Sequence, residues 1–174
     1  KLMPGCWLQV QADGQLAHGR YWSVQAVAQH ARAHPAAWSD DDATDRLEDV
    51  LVQAVQGQLL SDVPLGAFLS GGVDSSTIVA LMARHSSQPV RTFAIGFDEA
   101  GFDEAVYAKA VAAHLGTDHT ELYVTARDAL DVIPRLPTMY DEPFADSSQI
   151  PTALLAGMAR QHVTVALSGD AGDE

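Results

Sequence analysis

The spacing of apolar residues predicts that helices and strands alternate through most of the chain. Between Ala43 and Leu60 the apolar positions recur at helical intervals, which predicts an amphipathic helix that begins at Ser39–Asp42. Short apolar runs predict strands at 64–69, 90–97, 120–124 and 163–167. Helices are expected between and around them, at 75–85, 103–115, 126–136 and 151–161. This alternation is typical of an α/β domain that has a parallel sheet with helices on both faces.

The first 37 residues show a different pattern. Residues 8–22 alternate partly between apolar and polar around Asp13-Gly14, which predicts a β-hairpin, and 23–37 are weakly helical with an end near Pro35. Farther along, Gly116 is expected to end one helix and Pro137 another.

Four apolar side chains fall on helical stripes and are predicted to be buried: Tyr107, Leu115, Ile133 and Met158. Two histidines, His114 and His119, flank Gly116. For these we expect helix capping and surface polarity rather than metal binding.

Charge and composition exclude several classes of protein. The net charge of −13, with ten scattered Lys and Arg residues, argues against a nucleic-acid partner. No apolar run approaches the roughly 20 residues of a membrane span, so no membrane association is expected. The single cysteine, Cys6, rules out a disulfide framework within the chain and favours a cytoplasmic protein. The missing initiator Met and the abrupt end suggest a segment of a longer protein.

A loop rich in Gly and Ser lies where a predicted strand meets a predicted helix, at Ser70-Gly71-Gly72-Val73-Asp74-Ser75-Ser76. Such a junction offers backbone N–H groups and the positive end of a helix dipole to an anion. Glycines allow positive φ and a close approach of the backbone to oxyanions. The loop has no Lys after its glycines and is therefore not a Walker A motif. The alternative is an ordinary turn in which Asp74 and Ser75 cap the helix.

A second loop, Ser168 to Glu174, follows the last predicted strand and contains three carboxylates, Asp170, Asp173 and Glu174. The carboxyl ends of parallel strands share one edge of a sheet, so this loop is expected to lie near the first. Closely spaced carboxylates repel one another unless a cation is bound, which favours a divalent metal. The alternative is an ordinary surface turn.

Four segments in this order resemble the synthetase domain of the glutamine-hydrolysing asparagine synthetases: 69–76 (LSGGVDSS), 92–97 (TFAIGF), 141–152 (DEPFADSSQIPT) and 166–174 (ALSGDAGDE). The first is also the signature of the N-type ATP pyrophosphatases, the PP-loop superfamily. The resemblance implies a PP-loop fold truncated at its C-terminus. It assigns 1–20 to the tail of a glutaminase domain and its junction, and 21–174 to the N-terminal part of the ATP-binding domain. The family usually has Gly where this chain has Ala171.

The same resemblance implies a ligase that binds ATP and Mg²⁺. Asp74 and Asp173 would hold the metal, and Asp170 would lie near the amine nucleophile. The residues expected to contact ATP are Phe68, Leu69, Ser70, Gly71, Gly72, Asp74, Ser75, Ser76, Ile95, Ser168 and Gly169. Glu104 is a further acidic position, for which function and helix capping are equally expected.

The implied partners are a small carboxylic acid, aspartate in the parent family, and a glutaminase domain in the same polypeptide that supplies ammonia; a homo-oligomer is left open. Because a later family region with a catalytic Lys would lie beyond Glu174, the segment alone is expected to bind ATP–Mg²⁺ weakly and to form no amide. Three alternatives are open: an amidotransferase of surface-polysaccharide synthesis, a β-lactam synthetase-like enzyme, and an ATP-binding module without turnover.

Overall fold

The computed structural model describes residues 1–97, 104–143 and 145–170. The chain divides into two compact units, Lys1–Arg46 and Leu47–Glu174. None of the described helices is both long and apolar enough to cross a bilayer.

The first unit contains a hairpin and a short helix. Strands β1 (Cys6–Val10) and β2 (Leu16–Arg20) pair antiparallel, with Cys6 opposite Arg20 and Val10 opposite Leu16. Gly14 has a φ of 84° in the connecting turn, a conformation that favours glycine. Helix α1 (Val24–Ala33) begins at Ser23, whose hydroxyl accepts a hydrogen bond from the Ala26 N–H. The predicted hairpin and helix are both confirmed.

Helix α2 (Asp40–Leu59) begins where the polar run predicted it. The Ser39 hydroxyl accepts from the Asp42 N–H at 3.1 Å, and the Asp42 carboxylate accepts from the Ser39 N–H at 3.2 Å. These reciprocal bonds satisfy two donors that a helix start leaves without partners. The Ser39 hydroxyl also donates to the Asp42 carboxylate at 2.7 Å, and this bond, followed by the one from the Ser39 N–H, lowers the pKa of Asp42.

The second unit is built on a four-stranded parallel sheet with the order β5-β4-β3-β6. Its strands are β3 (Leu65–Phe68), β4 (Arg91–Phe97), β5 (Asp118–Val124) and β6 (Val165–Leu167). The helices are α3 (Val73–His85), α4 (Ala105–Leu115), α5 (Ala126–Val132), α6 (Leu136–Met139) and α7 (Gln149–Ala159). Gly116, with a φ of 66°, caps the end of α4 as expected.

Hydrophobic clusters cover both faces of this sheet. On one face Ala67 and Ala94 pack with residues of α3 and α4, such as Val79 and Ala108. On the other face Phe93 packs with α7 through Met158 and Ala159. Neighbouring residues of β4 therefore point to opposite clusters, as the two-residue period of a strand requires. The predicted parallel sheet with helices on both faces is confirmed.

The expected helix over 126–136 is wrong in its extent. Helix α5 ends at Val132, a 3₁₀ turn follows at Ile133–Arg135, and α6 begins at Leu136. Pro137 lies in the first turn of α6, where its missing N–H costs no hydrogen bond, so it does not end a helix. The interruption coincides instead with Pro134, which lies in the 3₁₀ turn.

Two of the four predicted core side chains are exposed. Met158 is buried and Leu115 packs against the core, but Tyr107 is 67% and Ile133 46% exposed. Helix α4 buries a stripe of alanines instead, namely Ala105, Ala108 and Ala112, and Tyr107 lies off that stripe. Ile133 lies in the 3₁₀ turn, where α-helical spacing no longer applies.

A buried polar cluster joins the starts of β4 and β5. Thr92, which is fully buried, lies within 2.8 Å of the Thr117 hydroxyl and 2.9 Å of His119 Nδ1. The other ring nitrogen, Nε2, lies 3.7 Å from a carboxylate oxygen of Glu121, and Lys109 Nζ lies 3.5 Å from the second oxygen. The His119 side chain is only 10% exposed. The expectation that His119 contributes surface polarity is therefore wrong.

Candidate functional site

The turn from β3 into α3 requires glycine at one position. Gly71 has a φ of 84°, and a Cβ there would lie 2.6 Å from the Ala108 N and the Tyr107 Cβ of α4. Gly72 has a φ of −70°, and a Cβ there would meet only the Ser70 hydroxyl, at 3.4 Å. Helix α3 begins at Val73 with Gly72 as its N-cap, so Asp74 and Ser75 lie inside the helix and cap nothing.

Serine hydroxyls hold this turn closed. The hydroxyls of Ser70 and Ser75 lie 2.9 Å apart, and the Ser70 N–H donates to the Ser75 hydroxyl at 3.2 Å. The Gly72 N–H donates to the Ser70 hydroxyl at 3.3 Å. The turn is tied to the sheet by the Leu69 N–H, which donates to the Phe93 carbonyl at 2.8 Å. These hydrogen bonds give the turn and the start of α3 a defined conformation.

The turn after β6 contacts the turn after β3. β6 pairs with β3 in parallel, so both strands end at the same edge of the sheet. A Cβ on Gly169 would lie 2.6 Å from the Ser75 N and 2.9 Å from the Asp74 carbonyl carbon. The Asp170 N–H donates to the Ser168 hydroxyl at 3.1 Å, which fixes the start of this turn. Ala171, Asp173 and Glu174 lie outside the described residues, so the position of Asp173 as a metal ligand stays a prediction.

These turns border a cavity of about 530 Å³. Ten of the residues predicted from the sequence line it: Phe68, Leu69, Ser70, Gly72, Asp74, Ser75, Ile95, Ser168, Gly169 and Asp170. Two others do not. Gly71 packs against α4, and the buried Ser76 hydroxyl belongs to a separate groove that it shares with Ala80 and Ala110.

Five lining residues had not been singled out as ligand contacts: Ala94, Glu104, Ala105, Thr152 and Leu155. Thr152 and Leu155 are one helical turn apart on α7, and only the packing of that helix on the sheet reveals them. Glu104 stands at the N-cap position of α4 but makes no side-chain capping bond. Of its two expected roles, capping is therefore not observed, and its side chain borders the cavity.

The charges around the cavity are all negative. Asp74, Glu104 and Asp170 line it, and the described lining contains no Lys or Arg. The sources of positive potential are the N-terminus of the 13-residue helix α3 and the N–H groups of the turn. No group of three His, Cys, Asp or Glu side chains suited to a metal occurs within the described parts of the chain. Mg²⁺ nevertheless often binds through one or two carboxylates plus phosphate oxygens.

The lining of the cavity combines two kinds of group. Hydroxyls, backbone groups and carboxylates come from the turns at Ser70–Ser75 and Ser168–Asp170, whereas Phe68, Ala94, Ile95 and Leu155 contribute apolar side chains. A parallel α/β sheet with a glycine-dependent turn at the carboxyl ends of its strands defines the class of this protein. It is an α/β domain with a ligand cavity at the strand ends.

Within this class, the chain belongs to the asparagine synthase family, whose model matches residues 46–174. It is 34% identical over its whole length to asparagine synthetase (glutamine-hydrolyzing) 1 of Bacillus subtilis, of which it covers 26%. It is 32% identical over 153 residues to asparagine synthetase B (glutamine-hydrolyzing) of Escherichia coli; this match covers 77% of the chain and 27% of that protein. The chain thus spans about a quarter of the length of these curated relatives.

Among solved structures, an NH3-dependent NAD synthetase from Campylobacter jejuni matches 70% of this chain and 54% of its own. The TM-score is 0.49 and the sequence identity 14%. A likeness at this level adds nothing to what the strand order and the family match already establish. The family predicted from the four sequence segments is confirmed by the family model and the curated relatives.

Proposed function

We propose that this chain supplies the ATP-binding part of an enzyme that adenylates a carboxylate and transfers the acyl group to ammonia, with AMP and pyrophosphate as further products. The observation that carries the proposal is the cavity at the carboxyl ends of β3, β4 and β6. Its lining combines a turn rich in Gly and Ser at a helix N-terminus with apolar side chains such as Phe68, Ile95 and Leu155. The names of the relatives, glutamine-hydrolyzing asparagine synthetases, support this reaction class.

In this proposal the turn at Ser70–Ser75 binds the β and γ phosphates. The N–H groups of the turn and the N-terminus of α3 donate to the phosphate oxygens and stabilise the charge that develops on pyrophosphate as it leaves. The α phosphorus is then attacked by an oxygen of the acceptor carboxylate. A bond forms from that oxygen to phosphorus, and the bond from phosphorus to the pyrophosphate oxygen breaks. The acyl adenylate has AMP as a good leaving group, which a free carboxylate lacks.

The residues present fit a magnesium ion. Asp74 offers a carboxylate beside the phosphate turn, in a cavity whose described lining has no cationic side chain to balance a triphosphate. Asp74 would hold the ion together with phosphate oxygens and Asp173, which lies outside the described residues. When bound, Mg²⁺ would supply charge neutralisation on the pyrophosphate that departs.

Asp170 lines the same cavity, in the turn that contacts the Ser70–Ser75 turn. A carboxylate there can orient an incoming amine or accept its proton when the amide forms. We assign this role to Asp170 by analogy with the family. Phe68, Leu69, Ile95, Ser168 and Gly169 are proposed to contact the nucleoside, whereas Gly71 and Ser76 support the turn from outside the cavity.

The remaining assignments concern the whole protein. The acceptor is proposed to be aspartate, and ammonia is proposed to come from a glutaminase domain of the same polypeptide. Residues 1–20 would form the end of that domain and its junction, and 21–174 the first part of a PP-loop ATP-binding domain. We further propose that the protein acts in the cytoplasm, without a nucleic-acid or membrane partner.

The test is isotope exchange between labelled pyrophosphate and ATP, measured on the full-length polypeptide with a panel of carboxylic acids. We expect exchange that depends on aspartate and on Mg²⁺, and loss of most of it in Asp74→Asn. Exchange with a sugar acid or a β-lactam precursor, but not with aspartate, would assign a different acceptor. Tight ATP binding without exchange for any acid would identify a binding module and contradict the enzymatic proposal.

A further inference from the structure

Thr152 differs from the other threonines that lie within helices of this chain. The hydroxyls of Thr44, Thr77 and Thr138 each donate to a backbone carbonyl three or four residues earlier, at 2.8 Å in every case. Such back-bonding is the usual way in which a helical threonine satisfies its hydroxyl. Among the described residues, Thr152 makes no side-chain hydrogen bond, and it lines the cavity.

The first turn of α7 holds Thr152 in a fixed place. The Tyr140 hydroxyl donates to the Gln149 carbonyl at 3.0 Å, and the Ser148 N–H donates to the Asp146 carboxylate at 2.8 Å. Hydrogen bonding from the Ser148 side chain, and next from its backbone N–H, lowers the pKa of Asp146. The Thr152 N–H donates to the Ser148 carbonyl at 2.9 Å, which continues the helix.

Leu155, one helical turn after Thr152, anchors this part of α7 to the hydrophobic core. Leu155 packs against the cluster of Phe93, Met158 and Ala159, and Phe68 packs against that cluster too. Both also line the cavity. Because Thr152 precedes Leu155 by three residues, the two side chains project from the same face of α7. Thr152 therefore lies beside an apolar side chain, Leu155, in the lining of the cavity.

An apolar slot with one hydroxyl suits the base of a nucleotide, whose flat faces are apolar and whose edge is polar. We propose that the Thr152 hydroxyl hydrogen-bonds to the polar edge of the base, with Leu155 and Phe68 against its faces. This inference rests on the proposed function and adds a binding residue from α7 to it. Thr152 is exposed, and its hydroxyl has no side-chain hydrogen-bond partner among the described residues. On binding, the base would therefore replace water at this hydroxyl and break no intramolecular hydrogen bond.

The test compares two ligands and three forms of the full-length polypeptide by calorimetry in the presence of Mg²⁺. ATP carries the base, whereas inorganic tripolyphosphate carries only the phosphate chain. Thr152→Val keeps the shape of the side chain and removes the hydroxyl, and Thr152→Ser keeps the hydroxyl. We expect Thr152→Val to weaken ATP binding about fivefold, the usual net effect of one neutral hydrogen bond. Its affinity for tripolyphosphate should not change, and Thr152→Ser should bind ATP within about twofold of the unsubstituted protein.

Three results would contradict the inference, and they separate it from the proposed function. Unchanged ATP affinity in Thr152→Val would show that the hydroxyl makes no contact, and the proposed function would be unaffected. An equal loss for both ligands would show that Thr152 acts on the shape of the site as a whole. If the unsubstituted protein bound neither ligand, the proposed function itself would be wrong and this inference with it.

Discussion

Gly71 and Gly72 are neighbours that the structure uses differently. The backbone at Gly71 has a positive φ and lies against the first turn of α4, whereas the backbone at Gly72 is extended and open to a side chain. The reason for glycine at position 71 is therefore both conformational and steric. At position 72 neither reason applies, so glycine would be required there only if a ligand closely approached the backbone.

We therefore expect Gly71→Ala to destabilise the fold by about 1–3 kcal/mol and to abolish nucleotide binding, because a strained residue would push the turn away from α4. Chemical denaturation and calorimetry with ATP–Mg²⁺ measure the two effects. Gly72→Ala is the matched control and should change the free energy of unfolding by less than about 1 kcal/mol. Similar destabilisation by both substitutions would contradict this account of the turn.

A second glycine, Gly169, sets the distance between the two turns. A methyl group there would meet the backbone of Ser75, so Gly169→Ala should displace the Ser168–Asp170 turn and weaken ATP–Mg²⁺ binding at least about tenfold. The control is Gly157→Ala in α7, where a methyl group meets nothing within 4 Å. That change should leave binding intact and stabilise the helix by about 0.5–1 kcal/mol. Unchanged affinity in Gly169→Ala would show that the turns adjust independently.

At the scale of elements, helix α4 connects the Ser70–Ser75 turn to the polar cluster at the starts of β4 and β5. Its first turn packs on Gly71, and Lys109 in its middle reaches Glu121. Burial lowers the pKa of His119 below its usual value near 6.5. Glu121 acts in the opposite direction and Lys109 in the same direction as burial. The folded protein therefore holds His119 neutral beside a fixed pair of threonine hydroxyls.

This arrangement predicts that the folded protein becomes less stable at acid pH. The unfolded chain binds a proton at His119 more readily than the folded protein does, so the free energy of unfolding should fall as the pH drops from about 6.5 toward the lowered folded pKa. Above pH 6.5 the contribution should be complete. Denaturation of the unsubstituted protein and of His119→Asn between pH 5 and 8 measures it, with a smaller slope expected in the variant. His114→Asn, which changes an exposed histidine at the end of α4, should retain the full slope. If the free energy of unfolding had the same slope against pH in all three proteins, the acid sensitivity would not come from His119.

At the scale of the whole molecule, charge is the dominant feature. The chain carries a net charge of −13, and the described lining of the cavity adds three carboxylates without a cationic side chain. A triphosphate can approach such a site only if backbone dipoles and a bound cation offset the repulsion.

Removal of divalent cations should therefore weaken ATP binding more than about tenfold, an effect that a site built on lysine would not show to the same degree. Calorimetry with excess EDTA, compared with Mg²⁺ at the same ionic strength, is the measurement. Asp74→Asn in Mg²⁺ should approach the affinity of the unsubstituted protein in EDTA. ATP affinity that is indifferent to EDTA would contradict the charge argument and the role of Asp74.

Local signals in the sequence predicted the parallel sheet and the two converging turns, and the resemblance to the family predicted most of the residues that line the cavity. Strand-to-helix turns carry their glycines and serines in consecutive positions, as Ser70–Ser75 does. Thr152 and Leu155 could not be found in this way, since they belong to a helix whose role follows from its packing across Phe93. The prediction for His119 was wrong for a related reason, because its hydrogen-bond partner, Thr92, lies 27 residues away along the chain. The alanine stripe of α4 likewise displaced Tyr107, because close packing near Gly71 favours small side chains.

The Ser70–Ser75 turn lies between two close backbone approaches, one where Gly71 meets α4 and one where Gly169 meets Ser75. These two glycine positions therefore leave little freedom for substitution. Helix α7, by contrast, lines the cavity with side chains, and one of these, Thr152, is exposed. Single substitutions at such a position could change the chemistry of the cavity while the two glycine contacts keep the backbone of the turns in place.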